Sequence, residues 1–258
     1  MSERLPMAGP PGGDGDAGGA PPAATPPAPP ARPRASSPRL VATLAVAGAV
    51  AGFFIVLVHQ WSQPRIEAYQ AMVLRQAVQE VLGGPERTET FFLHEGGFTA
   101  SPPAGADTTS LDRIFVGFAA DGSPVGVAAV GAEPGFQDVI RLIFGYDPGA
   151  AAVLGMKVLE SKETPGLGDK IEKDSLFVAE FGGVSTPLQG VKSGRATGAA
   201  NEVDMITGAT ISSQAIIDII NHRVQALGEP LERLWREGIP LPARNAGGDA
   251  PPTPGGGA

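Results

Sequence analysis

The feature that most restricts the fold of this chain is the apolar segment at residues 40–58, which contains nineteen residues and no charge. A helix rises about 1.5 Å per residue, so the segment would be about 28 Å long, close to the ~30 Å hydrocarbon core of a membrane. A cleaved signal peptide is the alternative, but the matching cleavage pattern, Ala45-Val46-Ala47, lies inside the segment rather than after it. We therefore predict one retained transmembrane helix, with Trp61 near the membrane surface.

Basic residues are distributed unequally around this segment. Arg32, Arg34 and Arg39 lie shortly before it, whereas only Arg65 follows closely. The positive-inside rule therefore predicts a cytoplasmic N-terminus and places the chain after His59 on the outer side of the membrane. In a bacterial inner membrane that side is the periplasm.

The composition argues against several functions. The chain has no Cys, which removes disulfides, iron–sulfur clusters and thiolate zinc sites, and its three His are far apart in sequence, so we predict no metal site. The net charge of −8 does not favour nucleic acid as a partner. Residues 59–258 hold 15 of the 19 basic and 24 of the 27 acidic residues, so this part is not expected to bind anionic lipid head groups.

The distribution of Pro, Gly and apolar residues divides the chain into five regions. Residues 1–39 contain eleven Pro and six Gly and almost no large apolar side chains, which is typical of a disordered segment. The regions are a disordered arm at 1–39, the transmembrane helix at 40–58, a connecting amphipathic helix at 59–95, a globular domain at 96–228 and a largely disordered tail at 229–258.

The globular domain has the sequence pattern of hairpins with interspersed helices. Asp121-Gly122 and Asp147-Pro148-Gly149 each separate two apolar segments, which is typical of hairpin turns. Further along, the pattern predicts a short helix at 172–181, a strand at 188–192 and an amphipathic helix at 211–227. We therefore predict an α+β fold built on an antiparallel sheet.

Two stretches of this domain could bind a ligand. The first consists of Glu163, Thr164, Pro165, Gly166, Leu167 and Gly168. Its glycines would let backbone N–H groups approach a flat ligand, although composition alone equally fits a plain loop. The stretch is not a dinucleotide fingerprint, because Ile171 stands where a third Gly would be needed.

The second stretch precedes the helix predicted at 211–227 and consists of Asp204, Met205, Ile206, Thr207, Gly208, Ala209 and Thr210. A Thr at the start of a helix commonly caps its free N–H groups. Those N–H groups and the positive end of the helix dipole also suit a phosphate. The sequence leaves both interpretations open.

Together the two stretches resemble the FMN-binding domain of the G subunit of Rnf electron-transport complexes. The second resembles the signal, Asp-x-x-(Ser/Thr)-Gly-Ala-(Thr/Ser), at which bacterial flavin transferases join FMN through its phosphate to the final Thr. The first looks like the loop that lies against the flavin. The likeness extends over about residues 66–227; Thr207 stands where Ser is common and Ser212 where a second Thr is frequent.

This resemblance implies that Thr210 carries FMN covalently, that Asp204 is recognised by the transferase, and that Thr207, Gly208, Ala209 and the loop from Glu163 to Gly168 bind the cofactor. The near-copy Thr197-Gly198-Ala199-Ala200 ends without a hydroxyl and has Gly194 where Asp is needed. Thr197 is therefore expected to remain unmodified.

The resemblance also implies a function in electron transport. The chain would relay electrons between ferredoxin and NAD, while partner subunits move the ions, because residues 40–58 contain no ionisable side chain. Two alternatives remain at this point. One is the related C subunit of the sodium-translocating NADH:quinone reductase, and the other is a membrane-tethered binding module without a cofactor.

Overall fold

The structure is a computed structural model that describes residues 37–102, 105 and 111–239. The contacts within the chain divide it after His59 into two compact units. Nearly all of the arm predicted at 1–39, and the last part of the tail predicted at 229–258, lie outside the described residues.

The first element is one long helix, α1, over Ser37–Val81. Among the described residues it is the one helix that is long and apolar enough to cross a membrane, and none of its most apolar part is buried. It also includes most of the segment predicted as a separate connecting helix, and Pro64 does not interrupt it. The helix ends shortly before Gly83 and Gly84, which both have positive φ.

The connecting region differs from the prediction at its C-terminal end. Residues 87–94, which the prediction placed in that connecting helix, form a strand; RTETFFLH contains two Thr and two Phe, residue types that favour strands. The apolar side chains of this part of α1 are not all buried. Ala77 and Val81 are buried against the sheet, whereas Ile66 and Tyr69 are exposed.

A seven-stranded antiparallel sheet forms the centre of the second unit, which confirms the α+β prediction. The strands follow the order β2-β1-β3-β4-β5-β6-β7. They are β1 Arg87–His94, β2 Gly97–Thr99, β3 Arg113–Phe118, β4 Pro124–Pro134, β5 Val139–Asp147, β6 Ala152–Glu160 and β7 Val184–Ser185. Both predicted hairpins are present, between β3 and β4 and between β5 and β6.

The remaining elements follow β6 in the chain. They are α2 Lys170–Lys173, α3 Ser175–Ala179, the parallel pair β8 Gln189–Lys192 and β9 Glu202–Met205, and α4 Thr210–Glu237. The helix predicted at 172–181 is thus divided. The division occurs at Asp174, whose side chain accepts hydrogen bonds from the N–H groups of Leu176 and Phe177 and so caps α3.

Helix α4 continues to Glu237, well beyond the end of the helix predicted at 211–227, and it includes the first part of the region predicted as a disordered tail. Gly228 and Pro230 resemble a stop signal in sequence. However, Leu227, Leu231 and Leu234 repeat at helical spacing and are all buried in the core. Their burial outweighs the missing hydrogen bond at Pro230, so the helix continues.

Helix α4 and the last turns of α1 belong to two different hydrophobic clusters. The larger cluster contains α4 residues such as Ile216 and Ile220 with sheet residues such as Phe144, and the smaller one contains Ala77, Val78 and Val81 of α1. The approach of α1 requires glycine in β5, since a Cβ on Gly145 would overlap the carbonyl oxygen of Val81.

Candidate functional site

The second sequence stretch forms the connection between β9 and α4. Gly208 has a φ of +86°, a conformation that favours glycine, and the N–H of Ala209 donates to the carbonyl of Ile206 at 3.0 Å. Ala209 is the N-cap residue of α4, and the hydroxyl of Ser213 holds the connection by accepting a hydrogen bond from the N–H of Ile206 at 3.2 Å. The turn therefore fixes the backbone directly before the helix.

Thr210 is the first residue of α4 and its side chain is exposed. Because the N-cap position belongs to Ala209, which has no polar side chain, no side-chain hydrogen bond caps this helix. The capping function considered for Thr210 is thus absent. The hydroxyl stands in the positive field of a helix start whose first N–H groups lack intrahelical partners.

The first sequence stretch is a loop between β6 and α2. The hydroxyl of Thr164 donates to the side-chain oxygen of Gln137 at 2.8 Å, and its carbonyl accepts from the N–H of Leu167 at 3.2 Å. Gly166 has a φ of +79°, and its N–H donates to the carboxylate of Asp169 at 2.7 Å. This turn leaves the side chain of Leu167 51% exposed.

Glu163 is buried beneath this loop and joins it to α4. One carboxylate oxygen accepts from the hydroxyl of Ser212 at 2.7 Å, and the other accepts from the N–H of Gln137 at 3.0 Å. Burial acts to raise the pKa of Glu163, but these hydrogen bonds outweigh it, so the pKa lies below its usual value and the group is a carboxylate. Gly168 packs directly on it, since a Cβ there would lie 2.6 Å from Oε2 of Glu163.

The two stretches therefore lie side by side. Leu167 Cδ2 is 3.8 Å from the place that a Cβ on Gly208 would occupy. Ser212, which the sequence offered only as a substitution within the second motif, makes the hydrogen bond that holds the loops in this arrangement. Gln137 gave no motif signal, because it lies in a turn between β4 and β5 that becomes part of the site only in the folded chain.

Asp204 lies in β9, away from the start of α4. Its Oδ2 accepts from the N–H of Gly194 at 3.3 Å, and its Oδ1 is buried without a hydrogen-bond partner among the described residues. The backbone N–H of Asp204 donates to the carboxylate of Glu180 at 2.5 Å. Burial, followed by the nearby charges of Asp204 and Asp174, raises the pKa of Glu180.

The near-copy at Thr197 has a different arrangement. The carboxylate of Glu202 accepts hydrogen bonds from the Thr197 hydroxyl at 2.9 Å and from the N–H groups of Thr197, Gly198 and Ala199 at 2.6, 3.1 and 3.4 Å. No helix begins after it, because the chain continues into β9. These donor groups are already bound to a carboxylate of the chain itself.

Comparison with known proteins gives the family. A model described as the FMN-binding domain matches residues 135–225, which include both loops of the site. The G subunit of the ion-translocating oxidoreductase complex from Pectobacterium atrosepticum is 31% identical over 186 residues, which cover 70% of this chain and 86% of that protein. The chain belongs to the family of G subunits of ion-translocating oxidoreductase complexes.

A second relative agrees with this assignment, and a solved structure agrees with the fold. The protein of that name from Methanosarcina acetivorans is 28% identical over 190 residues, covering 72% of this chain and 92% of its own length. The crystal structure of Shewanella oneidensis NqrC has the same fold, with a TM-score of 0.51 and 16% identity, and the match covers 60% of this chain and 91% of NqrC. The resemblance to the Rnf G subunit is therefore confirmed.

Proposed function

We propose that this chain is a covalently flavinylated electron-transfer subunit in which the phosphate of FMN is esterified to Thr210. The observation that carries the proposal is the exposed Thr210 hydroxyl at an uncapped helix start, beside a loop that leaves Leu167 exposed. When bound, FMN supplies the ability to accept and release one or two electrons. The protein supplies its position and its electrostatic surroundings.

The residues of the site fit such a cofactor. The first N–H groups of α4 and the helix dipole favour a phosphate, and an ester through Thr210 Oγ1 would place it in their field. The loop from Glu163 to Gly168 offers a flat ring the exposed side chain of Leu167 and the exposed Gly166 beside it. The buried hydrogen bond between Glu163 and Ser212 fixes the position of that loop relative to Thr210.

Attachment requires a flavin transferase, and we propose that Asp204 is part of the segment it recognises. The bond formed is a phosphoester between Thr210 Oγ1 and the phosphorus of FMN. The bond that breaks is the phosphoanhydride bond of a flavin dinucleotide, the nucleoside monophosphate is the leaving group, and the hydroxyl proton is released. The exposure of Thr207, Gly208 and Thr210 supports access of such an enzyme to the segment.

The relatives are named as subunits of an ion-translocating oxidoreductase complex, and we propose the same membership for this chain. It would relay electrons between ferredoxin and NAD without binding either of them. Ion movement would occur in partner subunits, because residues 40–58 carry no ionisable side chain.

We further propose that α1 crosses the bacterial inner membrane once, with the N-terminus in the cytoplasm and the FMN-binding domain in the periplasm. The three arginines before the apolar segment support this orientation. A covalent bond would also prevent loss of the cofactor on the side of the membrane where free FMN is not resupplied.

The test is a denaturing gel of the full chain, co-expressed with a flavin transferase and viewed under ultraviolet light. The wild-type band is expected to fluoresce, and Thr210→Ala is expected to be dark. Thr197→Ala is the matched control and should fluoresce like the wild type. A dark wild-type band would overturn the proposal and would leave a tethered module without a covalent cofactor.

A further inference from the structure

A groove of about 1650 Å³ lies between the second half of α1 and the sheet, within residues 60–258. It exists because only the end of α1 contacts the sheet closely. Around Gly117 and Gly145, where the strands have no side chains, Val81 and Leu82 approach the backbone. Further back along α1 the helix and the sheet leave the groove between them.

The groove contains an excess of positive charge that the overall composition does not reveal. Its lining includes four arginines and two glutamates, in a chain with a net charge of −8. The arginines are Arg65 and Arg75 from α1, Arg113 from β3 and Arg141 from β5.

These arginines differ from most other basic residues of the domain. None of the four lies within ion-pair distance of a carboxylate in the part of the chain that the structure describes, whereas Lys157, Lys173 and Arg223 all do. Arg141 stands opposite Glu160 in the β5–β6 ladder, and Glu67 also lines the groove, so the lining keeps an excess of two positive charges. The placement of the four arginines indicates an anionic ligand, because guanidinium groups bind phosphate and carboxylate with paired hydrogen bonds.

A buried hydroxyl also lines this groove, away from the sheet arginines. The Oγ1 of Thr88 is buried and, among the described residues, has no hydrogen-bond partner. Such a group costs folding free energy unless a ligand or water satisfies it. It pairs with Gly117 of β3, four residues along that strand from Arg113, so it lies about 13 Å from that arginine.

We propose that this groove binds the phosphate head group of an anionic membrane phospholipid. The exposed apolar side chains of Ile66 and Tyr69, and Phe115 on the sheet, would contact the glycerol and acyl part of the lipid. A lipid fits better than a free phosphate for two reasons. The groove is larger than the ~300–1,000 Å³ of typical small-molecule sites. In addition, Arg65 follows the apolar segment of the chain by only seven residues and stacks on the exposed Trp61 at 5.0 Å, a residue pair typical of a membrane surface.

Under this proposal, the expectation that residues 59–258 avoid anionic head groups would hold for the domain as a whole but not for this face. The inference depends on the membrane association of the chain and not on the flavin. The two proposals can therefore fail independently.

The test is native mass spectrometry of the full chain in a neutral detergent, with phosphatidylglycerol and phosphatidylcholine supplied at equal concentration. The wild type is expected to retain at least about tenfold more phosphatidylglycerol than phosphatidylcholine. Arg113→Gln combined with Arg141→Gln should reduce that preference to near parity. Lys192→Gln combined with Arg233→Gln removes two exposed basic residues outside the groove and should leave the preference unchanged.

A second variant keeps the proposal testable if the double arginine variant does not fold. Arg141→Gln alone changes one exposed side chain and should weaken lipid retention without lowering the thermal unfolding midpoint of the lipid-free protein. Unchanged retention in Arg141→Gln would contradict the placement of the head group.

Further outcomes would overturn the lipid assignment. One is equal retention of phosphatidylglycerol and phosphatidylcholine by the wild type. Another is a loss of the phosphatidylglycerol preference in the control variant as large as that in the double arginine variant. A third is displacement of the lipid by equimolar glycerol phosphate. A photoreactive residue in place of Leu159 is expected to capture lipid in native membranes. Capture of a protein there instead would show that a partner chain fills the groove.

Discussion

Two segments of this molecule share the tripeptide Thr-Gly-Ala, and their glycines share a φ of +86°, but the hydrogen bonding around them differs. At Thr197-Gly198-Ala199 the N–H groups surround the carboxylate of Glu202. At Thr207-Gly208-Ala209 the turn leads directly into α4, and no side chain caps the helix. The nearby carboxylate of Glu163 is held away by Ser212 and Gln137.

From this difference we expect the motif to accept a flavin only where a helix follows it. A strand follows Thr197-Gly198-Ala199, and Glu202 of that strand accepts the hydrogen bonds of this segment. A helix follows the second, so its donors and the hydroxyl of Thr210 remain available to an anionic group. Each of the following experiments changes one side of this comparison.

The largest effect is expected from releasing the loop beside the second segment. Glu163→Ala leaves the Ser212 hydroxyl and the Gln137 N–H unpaired in a buried position, so we expect a loss of about 3 kcal/mol in the free energy of unfolding. Chemical denaturation of the full chain in detergent measures it. Glu163→Gln, which retains an acceptor, should lose less; equal losses would show that the carboxylate charge rather than the hydrogen-bond geometry matters.

A matched pair of glycine variants comes next. Gly198→Ala and Gly208→Ala both place a side chain at a φ of +86°, and neither Cβ would meet an atom closer than 3.8 Å, so each should destabilise by about 1 kcal/mol. Only Gly208→Ala should also reduce flavin fluorescence of the denatured band, because only that turn positions Thr210. A similar reduction in Gly198→Ala would remove the distinction between the segments.

A smaller effect is expected from acid, which should weaken the hydrogen bonds at Thr197-Gly198-Ala199 more than those at Thr207-Gly208-Ala209. Hydrogen bonds from the hydroxyl and then the N–H of Thr197 lower the pKa of Glu202 below its usual value of 4.5. As the pH falls, the unfolded chain therefore takes up the proton first. The stabilising contribution of Glu202 is complete above the usual value and is lost as the pH falls through the folded value. Amide exchange at residues 197–199, corrected for its intrinsic pH dependence, should accelerate relative to residues 206–209. Equal acceleration would contradict the assignment of the Glu202 contacts.

The smallest effect is expected from completing the near-copy. Gly194→Asp combined with Ala200→Thr gives the first segment the acid and the hydroxyl that it lacks, on a background of Thr210→Ala. We expect no fluorescent band, because Glu202 still binds the donors and no helix begins there. A fluorescent band would mean that the linear motif is sufficient by itself.

The sequence predicted the parts of this fold that depend on neighbouring residues. Asp121-Gly122 specifies a hairpin turn locally, and so does the turn after Asp147. The predicted end of α4 was wrong, because Pro230 is a local stop signal that is overcome by burial of Leu231 and Leu234, a contribution of the whole core.

The same division applies to the candidate site. Both loops were predicted as motifs, but their contact was not, because the hydrogen bond between Glu163 and Ser212 joins residues 49 positions apart. The interaction of Thr197 with Glu202 is short in sequence, yet it depends on an irregular loop with no periodic pattern. The basic groove could not be predicted, because its arginines come from one helix and two separate strands.

The most direct test of the central claim uses the tryptic peptide that trypsin should release between Arg195 and Arg223, which contains both Thr-Gly-Ala segments. The full chain is isolated from cells that contain a flavin transferase, and the peptide is fragmented in a mass spectrometer. The account predicts one added mass, equal to FMN less one water, located on Thr210. An unmodified peptide, or the same mass located on Thr197, would contradict it.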